Sequence, residues 1–219
     1  RTLLVSHELR NNGRDLKAVT YGLFLQLEKD KPWTWIFSKN STSWGSYYYT
    51  TDEDVLRVEA TPEDCAYTEW LTYGFDDRQA SSANAYLQWE NKRISFKVEV
   101  PDATKLYVDQ MKAELTSFAG FNYANWLKCA QFCVSNKTNL EEALRWVDIS
   151  MNTDRFNGQK SFSAMKTKAD ILALLNREKE ADKIMQEALA MDATLMELHG
   201  YGRSLLAAGK NEQALEVFK

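Results

Sequence analysis

The sequence is poor in the residues that build metal centres, disulfide frameworks and rigid turns. Its 219 residues include only two histidines, three cysteines and three prolines. An odd number of cysteines at these spacings does not fit a disulfide framework. Cys129 and Cys133 share one face of a predicted helix, but a metal site there needs two further ligands, and both histidines lie far away in sequence. We interpret the pair as small core residues and expect no metal and no cofactor.

The chain also lacks a strong charge of either sign. Its 27 basic and 31 acidic side chains give a net charge of −4, without the basic excess that binding to a phosphate backbone requires, so we expect no nucleic-acid partner. Every apolar run is shorter than the roughly 18 residues of a membrane-spanning helix, and we expect no membrane span. The phosphate-binding glycine loop, HExxH, GxSxG and the EF-hand series are absent. These absences favour a protein that is not an enzyme.

Before Pro101 the apolar residues recur at every second position, which predicts strands that each bury one face. Intervening polar residues such as Thr34 are expected to face solvent. Asn12-Gly13, between two runs, predicts a tight hairpin. About six or seven short strands predict an antiparallel β-sandwich or partial barrel over residues 1–101. The clearest runs begin at Tyr21, Trp33, Leu71, Ala83 and Ile94.

After Pro101 the apolar period becomes 3.6 residues, which predicts about seven helices and no strands over residues 102–219. Small residues occur in pairs 12 positions apart, and the two pairs are offset by 33 residues, one fewer than the tetratricopeptide period of 34. We therefore predict an α+β fold in two segregated parts, with about three tetratricopeptide-like helical hairpins following the β domain. The two small pairs are Ala169 with Ala181, and Gly202 with Ala214.

The tetratricopeptide template also predicts a groove. It places Ala130, Ala169 and Gly202 at equivalent positions in the first helix of each hairpin, so their neighbours face the concave side. The resulting mixed-charge surface suits a polar peptide or a chain terminus. The alternative is a solvated helix face, or one covered by the β domain. The predicted groove residues are Gln131, Lys166, Asp170, His199 and Arg203.

Residues 41–49 combine four aromatic side chains with small and hydroxylated ones. The aromatic residues are Trp44, Tyr47, Tyr48 and Tyr49. Aromatic faces stack on sugars or apolar ligands, and nearby hydroxyls can hydrogen-bond a polar partner. The favoured alternative is that Trp44 folds over the open end of the sandwich while alternate tyrosines join its core. Paired carboxylates can bind calcium or hydrolyse glycosides, but we interpret the two neighbouring acidic clusters as solvated turns. These clusters are Asp52-Glu53-Asp54 and Asp76-Asp77.

Several segments together resemble a bacterial domain-of-unknown-function family, number 2911, seen mostly in Bacteroidetes-type bacteria. The resemblance covers most of residues 2–100 and implies a β-rich domain joined to tetratricopeptide-like helices, often in exported proteins, hence a periplasmic or cell-envelope location. It also implies further strand-forming sequence upstream of Arg1, so we expect the β domain to be truncated at its N-terminus. It implies no catalytic residue. The matching segments include Tyr21-Gly22-Leu23-Phe24, Trp33 to Asn40, Trp44-Gly45, Asp54 to Val58, Glu69 to Tyr73 and Leu87 to Glu90.

Two hypotheses about function follow. The first is a non-catalytic binding or scaffolding protein of the bacterial cell envelope that contacts a protein or peptide through the helical groove. The second is a carbohydrate-binding or carbohydrate-processing protein that uses the Trp44–Tyr49 loop. A pocket joining that loop to Asp52, Glu53 or Asp76 would favour the second hypothesis.

Overall fold

The computed structural model describes residues 1–11, 13–154 and 157–219. The chain divides into two compact units, Arg1–Ala103 and Thr104–Lys219, which we call the β unit and the helical unit. An antiparallel β region precedes seven α-helices in the described part of the chain. The predicted α+β class with segregated parts is therefore confirmed.

Eight strands form two antiparallel sheets in the described part of the β unit. One sheet has the order β1-β4-β5-β6 and the other β3-β2-β8-β7. The predicted hairpin at Asn12-Gly13 lies between β2 and β3, which pair with each other, but Asn12 is outside the described residues. The strands are β1 (Thr2–Leu4), β2 (Leu9–Asn11), β3 (Arg14–Leu16), β4 (Thr20–Gln26), β5 (Trp33–Ser38), β6 (Asp54–Ala60), β7 (Glu63–Asp76) and β8 (Ser82–Glu99).

Strand β8 is long because its chain reverses direction midway and forms two arms. The backbone N–H of Val100 donates to the carbonyl of Ser81 at 2.7 Å, so the two ends of the strand meet. Glu90, midway between them, has a φ of +51°, a left-handed conformation suited to a tight reversal. The predicted runs that begin at Ala83 and Ile94 are therefore the two arms of one element.

Aromatic side chains join the two sheets. Trp35 and Phe37 of β5 meet Phe96 of β8 edge to face, with ring centroids 5.0 and 5.2 Å apart. All three are buried in a core cluster that draws on both sheets. The inner faces thus pack on each other, which selects the sandwich over the partial barrel.

Two expectations about burial in the β unit are wrong. Thr34 is buried, not solvated. On the same face of its sheet, the Arg57 side chain reaches Gln26 and donates to its Oε1 at 2.5 Å. Gln26 and Thr34 are direct register partners. Conversely, the run that begins at Leu71 is about half exposed, since β7 is the edge strand of its sheet.

The helical unit is built from consecutive helices that pack in pairs: α2 with α3, α4 with α5 and α6 with α7. Small residues lie where the helices cross. Ala169 and Ala181 are buried in one cluster, and a Cβ on Gly202 would approach the Phe218 ring to 2.5 Å. The helices are α1 (Ala103–Leu115), α2 (Tyr123–Asn136), α3 (Leu140–Met151), α4 (Phe162–Leu174), α5 (Glu178–Leu189), α6 (Leu195–Ala207) and α7 (Asn211–Phe218).

Candidate functional sites

The loop of residues 41–49, here called the aromatic loop, is fixed at its start by Asn40. The Asn40 Oδ1 accepts hydrogen bonds from the backbone N–H groups of Thr42 and Ser43, both at 3.2 Å, and from the Thr42 hydroxyl at 3.3 Å. This side-chain turn sets the direction in which the loop leaves β5. Gly22 of β4 lies against the Asn40 backbone, and a Cβ there would overlap the Asn40 carbonyl oxygen. The close approach therefore requires glycine at this position.

Tyr49 fixes the other end of the loop. Its hydroxyl donates to Asp54 Oδ2 at 2.8 Å and accepts from Arg57 Nη1 at 3.0 Å. Its ring packs on Phe24, with centroids 5.2 Å apart. Burial and the hydrogen bond to the Asp54 carboxylate raise the pKa of Tyr49, so its hydroxyl stays protonated at neutral pH. Of the four predicted ligand-binding aromatic residues, Tyr49 thus anchors the loop to the sheet.

The other three aromatic residues point into solvent. Trp44 is 79% exposed and Tyr47 80% exposed, and Tyr48 is also exposed. The rings of Trp44 and Tyr47 are nearly parallel, at an interplanar angle of 12° and a centroid separation of 5.7 Å. We call this pair the aromatic platform. The expectation that Trp44 folds over the sandwich and alternate tyrosines join the core is wrong for these three residues.

The carboxylates of the two acidic clusters either form salt bridges or lie apart from the cavities of the β unit. Asp54 forms a salt bridge with Arg57 at 2.8 Å, and Asp76 forms one with Arg93. Two cavities of about 370 and 600 Å³ lie between the sheets on the β7 side. Neither is lined by the aromatic loop, Asp52, Glu53 or Asp76. These cavities therefore do not provide the pocket that the carbohydrate-processing alternative requires.

The cysteine pair lies in the core of the helical unit. Cys129 is half-buried and Cys133 is buried. Burial raises the pKa of the Cys133 thiol to about 11, so it stays protonated and unreactive at neutral pH. Across residues 1–11, 13–154 and 157–219, no group of three His, Cys, Asp or Glu side chains is placed to hold a metal ion.

The β unit is similar to one known protein family. Residues 2–98 match the model of a family described as "Protein of unknown function (DUF2911)". The family resemblance seen in the sequence is therefore confirmed for the β unit, and the match ends before α1 begins. No curated protein and no solved structure matches the chain.

Three of the predicted groove residues are bound within the helical unit. Gln131 of α2 donates to Ser163 Oγ of α4 at 3.2 Å, which links two neighbouring hairpins. Lys166 and Asp170 form a salt bridge one helical turn apart, with a nitrogen-to-oxygen distance of 2.7 Å. Each of these three residues therefore has a polar partner within the helical unit.

The two groove residues on α6 differ from each other. The His199 ring lies 5.8 Å from the ring of Phe218, on the other helix of the same hairpin. Arg203 is exposed and forms no ion pair with any residue that the structure describes. The groove formed by the five residues stays a prediction.

A cleft between α5, α6 and α7 was not predicted. It has a volume of about 610 Å³. Its apolar lining comes from Met185, Leu189, Leu198, Leu205 and Val217, and its polar lining from Asp182, Gln186, Tyr201, Lys210, Gln213 and Glu216. The three-to-four-residue spacing of Leu198, Tyr201 and Leu205 on α6 is the signal in the sequence that could have revealed one wall.

Tyr201 is the most enclosed polar group of this α5–α7 cleft. Its ring meets the Phe162 ring of α4 edge to face, with centroids 6.3 Å apart. Burial raises the pKa of Tyr201, and the carboxylates of Asp170 and Asp182 raise it further. The hydroxyl therefore remains a hydrogen-bond donor at neutral pH, next to two negative charges.

No described helix has both the length and the apolar character needed to cross a membrane.

Proposed function

We propose that the protein is a non-catalytic binding or scaffolding protein of the bacterial cell envelope, and that its helical unit contacts a protein or peptide. The α5–α7 cleft is the observation that best supports this proposal. The envelope location rests on the family resemblance of the β unit. The buried small residues at the helix crossings support a tetratricopeptide-like arrangement of the hairpins, in which binding to polypeptides is the usual role.

The chemistry of the cleft suits a polypeptide segment. Its volume of about 610 Å³ lies within the range typical of ligand sites, about 300–1,000 Å³. Apolar side chains from three helices offer a surface on which an apolar side chain of a partner can be buried. Polar groups around them can pair with a peptide backbone and fix its orientation.

The charges around the cleft favour a cationic segment. Asp182 and Glu216 lie on different helices and form no salt bridge within the described part of the chain. Lys210 is the one basic residue among those that line the cleft. A partner with an apolar side chain flanked by lysine or arginine would bury the first and pair the second with these carboxylates.

Two leucines provide a matched test. Leu189 lines the cleft and is partly exposed, whereas Leu195, at the start of α6, is 87% exposed and does not line it. We expect Leu189→Arg to lose the partners that the parent protein retrieves from a native envelope extract, because a cation in the cleft repels a cationic segment and fills its space. Leu195→Arg should retrieve the same partners as the parent.

The predicted groove is tested beside the cleft. The double variant Lys166→Glu and Arg203→Glu reverses two charges outside the cleft lining. If this variant loses the partners and Leu189→Arg keeps them, the groove binds and the cleft does not. If both variants retrieve the parent's partners, the helical unit is not the binding site.

A further inference from the structure

The aromatic platform of Trp44 and Tyr47 is an exposed pair of rings on a loop that is fixed at both ends. Asn40 holds the start of the loop through three hydrogen bonds, and Tyr49 holds its end against Asp54, Arg57 and Phe24. The platform is therefore held in water by the fold. A fixed ring pair loses little conformational entropy when it binds a ligand.

Four side-chain hydroxyls of the aromatic loop are free to bind. The side-chain hydroxyls of Ser43, Ser46, Tyr47 and Tyr48 have no hydrogen-bond partner among the residues that the structure describes. Each can donate one hydrogen bond and accept others. An apolar face beside several free hydroxyls is complementary to a sugar ring, which carries C–H groups on one face and hydroxyls around its edge.

The absence of charged side chains in the loop favours an uncharged ligand. Residues 41–49 include no charged side chain. Of the carboxylates that follow, Glu53 accepts from Asn40 Nδ2 at 3.4 Å and Asp54 is bound by Tyr49 and Arg57. The exposed Asp52 forms no hydrogen bond or salt bridge with the residues that the structure describes. Residues 41–49 themselves therefore offer no cation for a phosphate or an acidic sugar and no carboxylate for a basic ligand.

From these observations we infer that the aromatic platform is a binding site for a neutral glycan, with the exposed ring faces stacked on a pyranose ring and the free hydroxyls bound to its hydroxyl groups. This site is independent of the α5–α7 cleft, so either proposal can fail without the other.

Trp70 offers a matched control for the test. It is 82% exposed, belongs to the same unit and lies on β7, outside the aromatic loop. The variants Trp44→Ala, Tyr47→Ala and Trp70→Ala all remove an exposed ring, so they should fold equally well, which circular dichroism checks. The probes are hexasaccharides of β-1,4-linked glucose and of β-1,4-linked N-acetylglucosamine, with hexagalacturonate as the acidic probe. Calorimetry measures the affinity.

We expect a neutral hexasaccharide to bind the parent protein and Trp70→Ala with equal affinity, and Trp44→Ala and Tyr47→Ala about tenfold more weakly. Hexagalacturonate should bind none of them measurably. The inference is overturned if neither neutral probe binds the parent. Equal loss of binding in Trp70→Ala, or tighter binding of the acidic probe, overturns it as well.

Discussion

Gly22 links the sheet of the β unit to the aromatic loop, and its substitution by alanine is expected to disturb both. A Cβ at this position would overlap the carbonyl oxygen of Asn40 and lie 3.2 Å from the carbonyl carbon. These are backbone atoms, so no side-chain rotation can relieve the overlap. The chain at Asn40 must move, and with it the turn that the Asn40 side chain makes with Thr42 and Ser43.

The cost follows from the kind of contact. Forcing an extra carbon into a packed site costs about 1–3 kcal/mol. Part of this is offset because alanine has less freedom than glycine in the unfolded chain, by about 0.4–1 kcal/mol. We expect Gly22→Ala to lower the free energy of unfolding by about 1–2 kcal/mol. For a unit of this size that corresponds to a fall in the melting temperature of about 5–10 °C.

Gly200 supplies the control. It lies inside α6, and a Cβ there would meet nothing within 4 Å. Alanine is the better helix former, so Gly200→Ala should stabilise its helix by about 0.5–1 kcal/mol. Thermal unfolding is followed by near-ultraviolet circular dichroism, which reports the packed aromatic side chains, and at 222 nm, which reports the helices.

The affinity for a neutral hexasaccharide is a second measurement, which reports on the loop separately from the stability of the sheet. Gly22→Ala should also weaken binding of a neutral hexasaccharide, although both platform rings are still present, because the Asn40 turn that orients them has shifted. A melting temperature and an affinity equal to those of the parent protein would refute the argument that the Asn40 backbone is fixed against β4.

Two further outcomes concern the helical unit. Leu172 is only 2% exposed in the core of the unit, so Leu172→Ala should lower the free energy of unfolding by about 2–5 kcal/mol. Alanine at the exposed Leu195 should lower it by less than about 0.5 kcal/mol. Equal urea midpoints of the two variants, measured at 222 nm, would contradict this. Hydrogen bonds from the backbone N–H and the hydroxyl of Thr194 lower the pKa of Glu197 in the folded protein below its value in the unfolded chain. The stability that these bonds contribute is therefore fully present above the unfolded-state pKa and is lost as the pH falls through the folded-state pKa. Thr194→Ala should therefore destabilise by about 1 kcal/mol at pH 7 and by less near pH 3, and a pH-independent difference would contradict the capping box.

The sequence predicted the inner face of the sandwich well, because alternation records which side of a strand is apolar. Trp35 and Phe37 are buried as expected. It did not predict the burial of Thr34, beside whose register partner, Gln26 on β4, the Arg57 side chain reaches across from β6. Contacts of this kind join three strands, and a pattern within one strand carries no information about them.

The helical unit shows the same limit. Repeated small residues marked the crossing of helices within a hairpin, which is a contact between near neighbours in sequence. Lys166 and Asp170, which their spacing places on one face of α4, pair with each other. The same spacing that predicts a shared face also predicts an i,i+4 ion pair. The α5–α7 cleft needs side chains from three helices, so spacing within one helix could reveal only one of its walls.

The aromatic loop shows why exposure is more informative than composition. Its nine residues contain one tyrosine that is built into the sheet and three aromatic residues that are left in water. Had the loop served only to cover the sandwich, burial of the larger Trp44 would have contributed more stability than the anchoring of Tyr49. The fold instead uses Asn40, Gly22 and Tyr49 to hold the loop while Trp44 and Tyr47 remain outside. Leaving Trp44 and Tyr47 exposed gives up the stability that their burial would contribute. Such a loss is expected where function requires it, and the binding proposal for the β unit therefore rests on this loop.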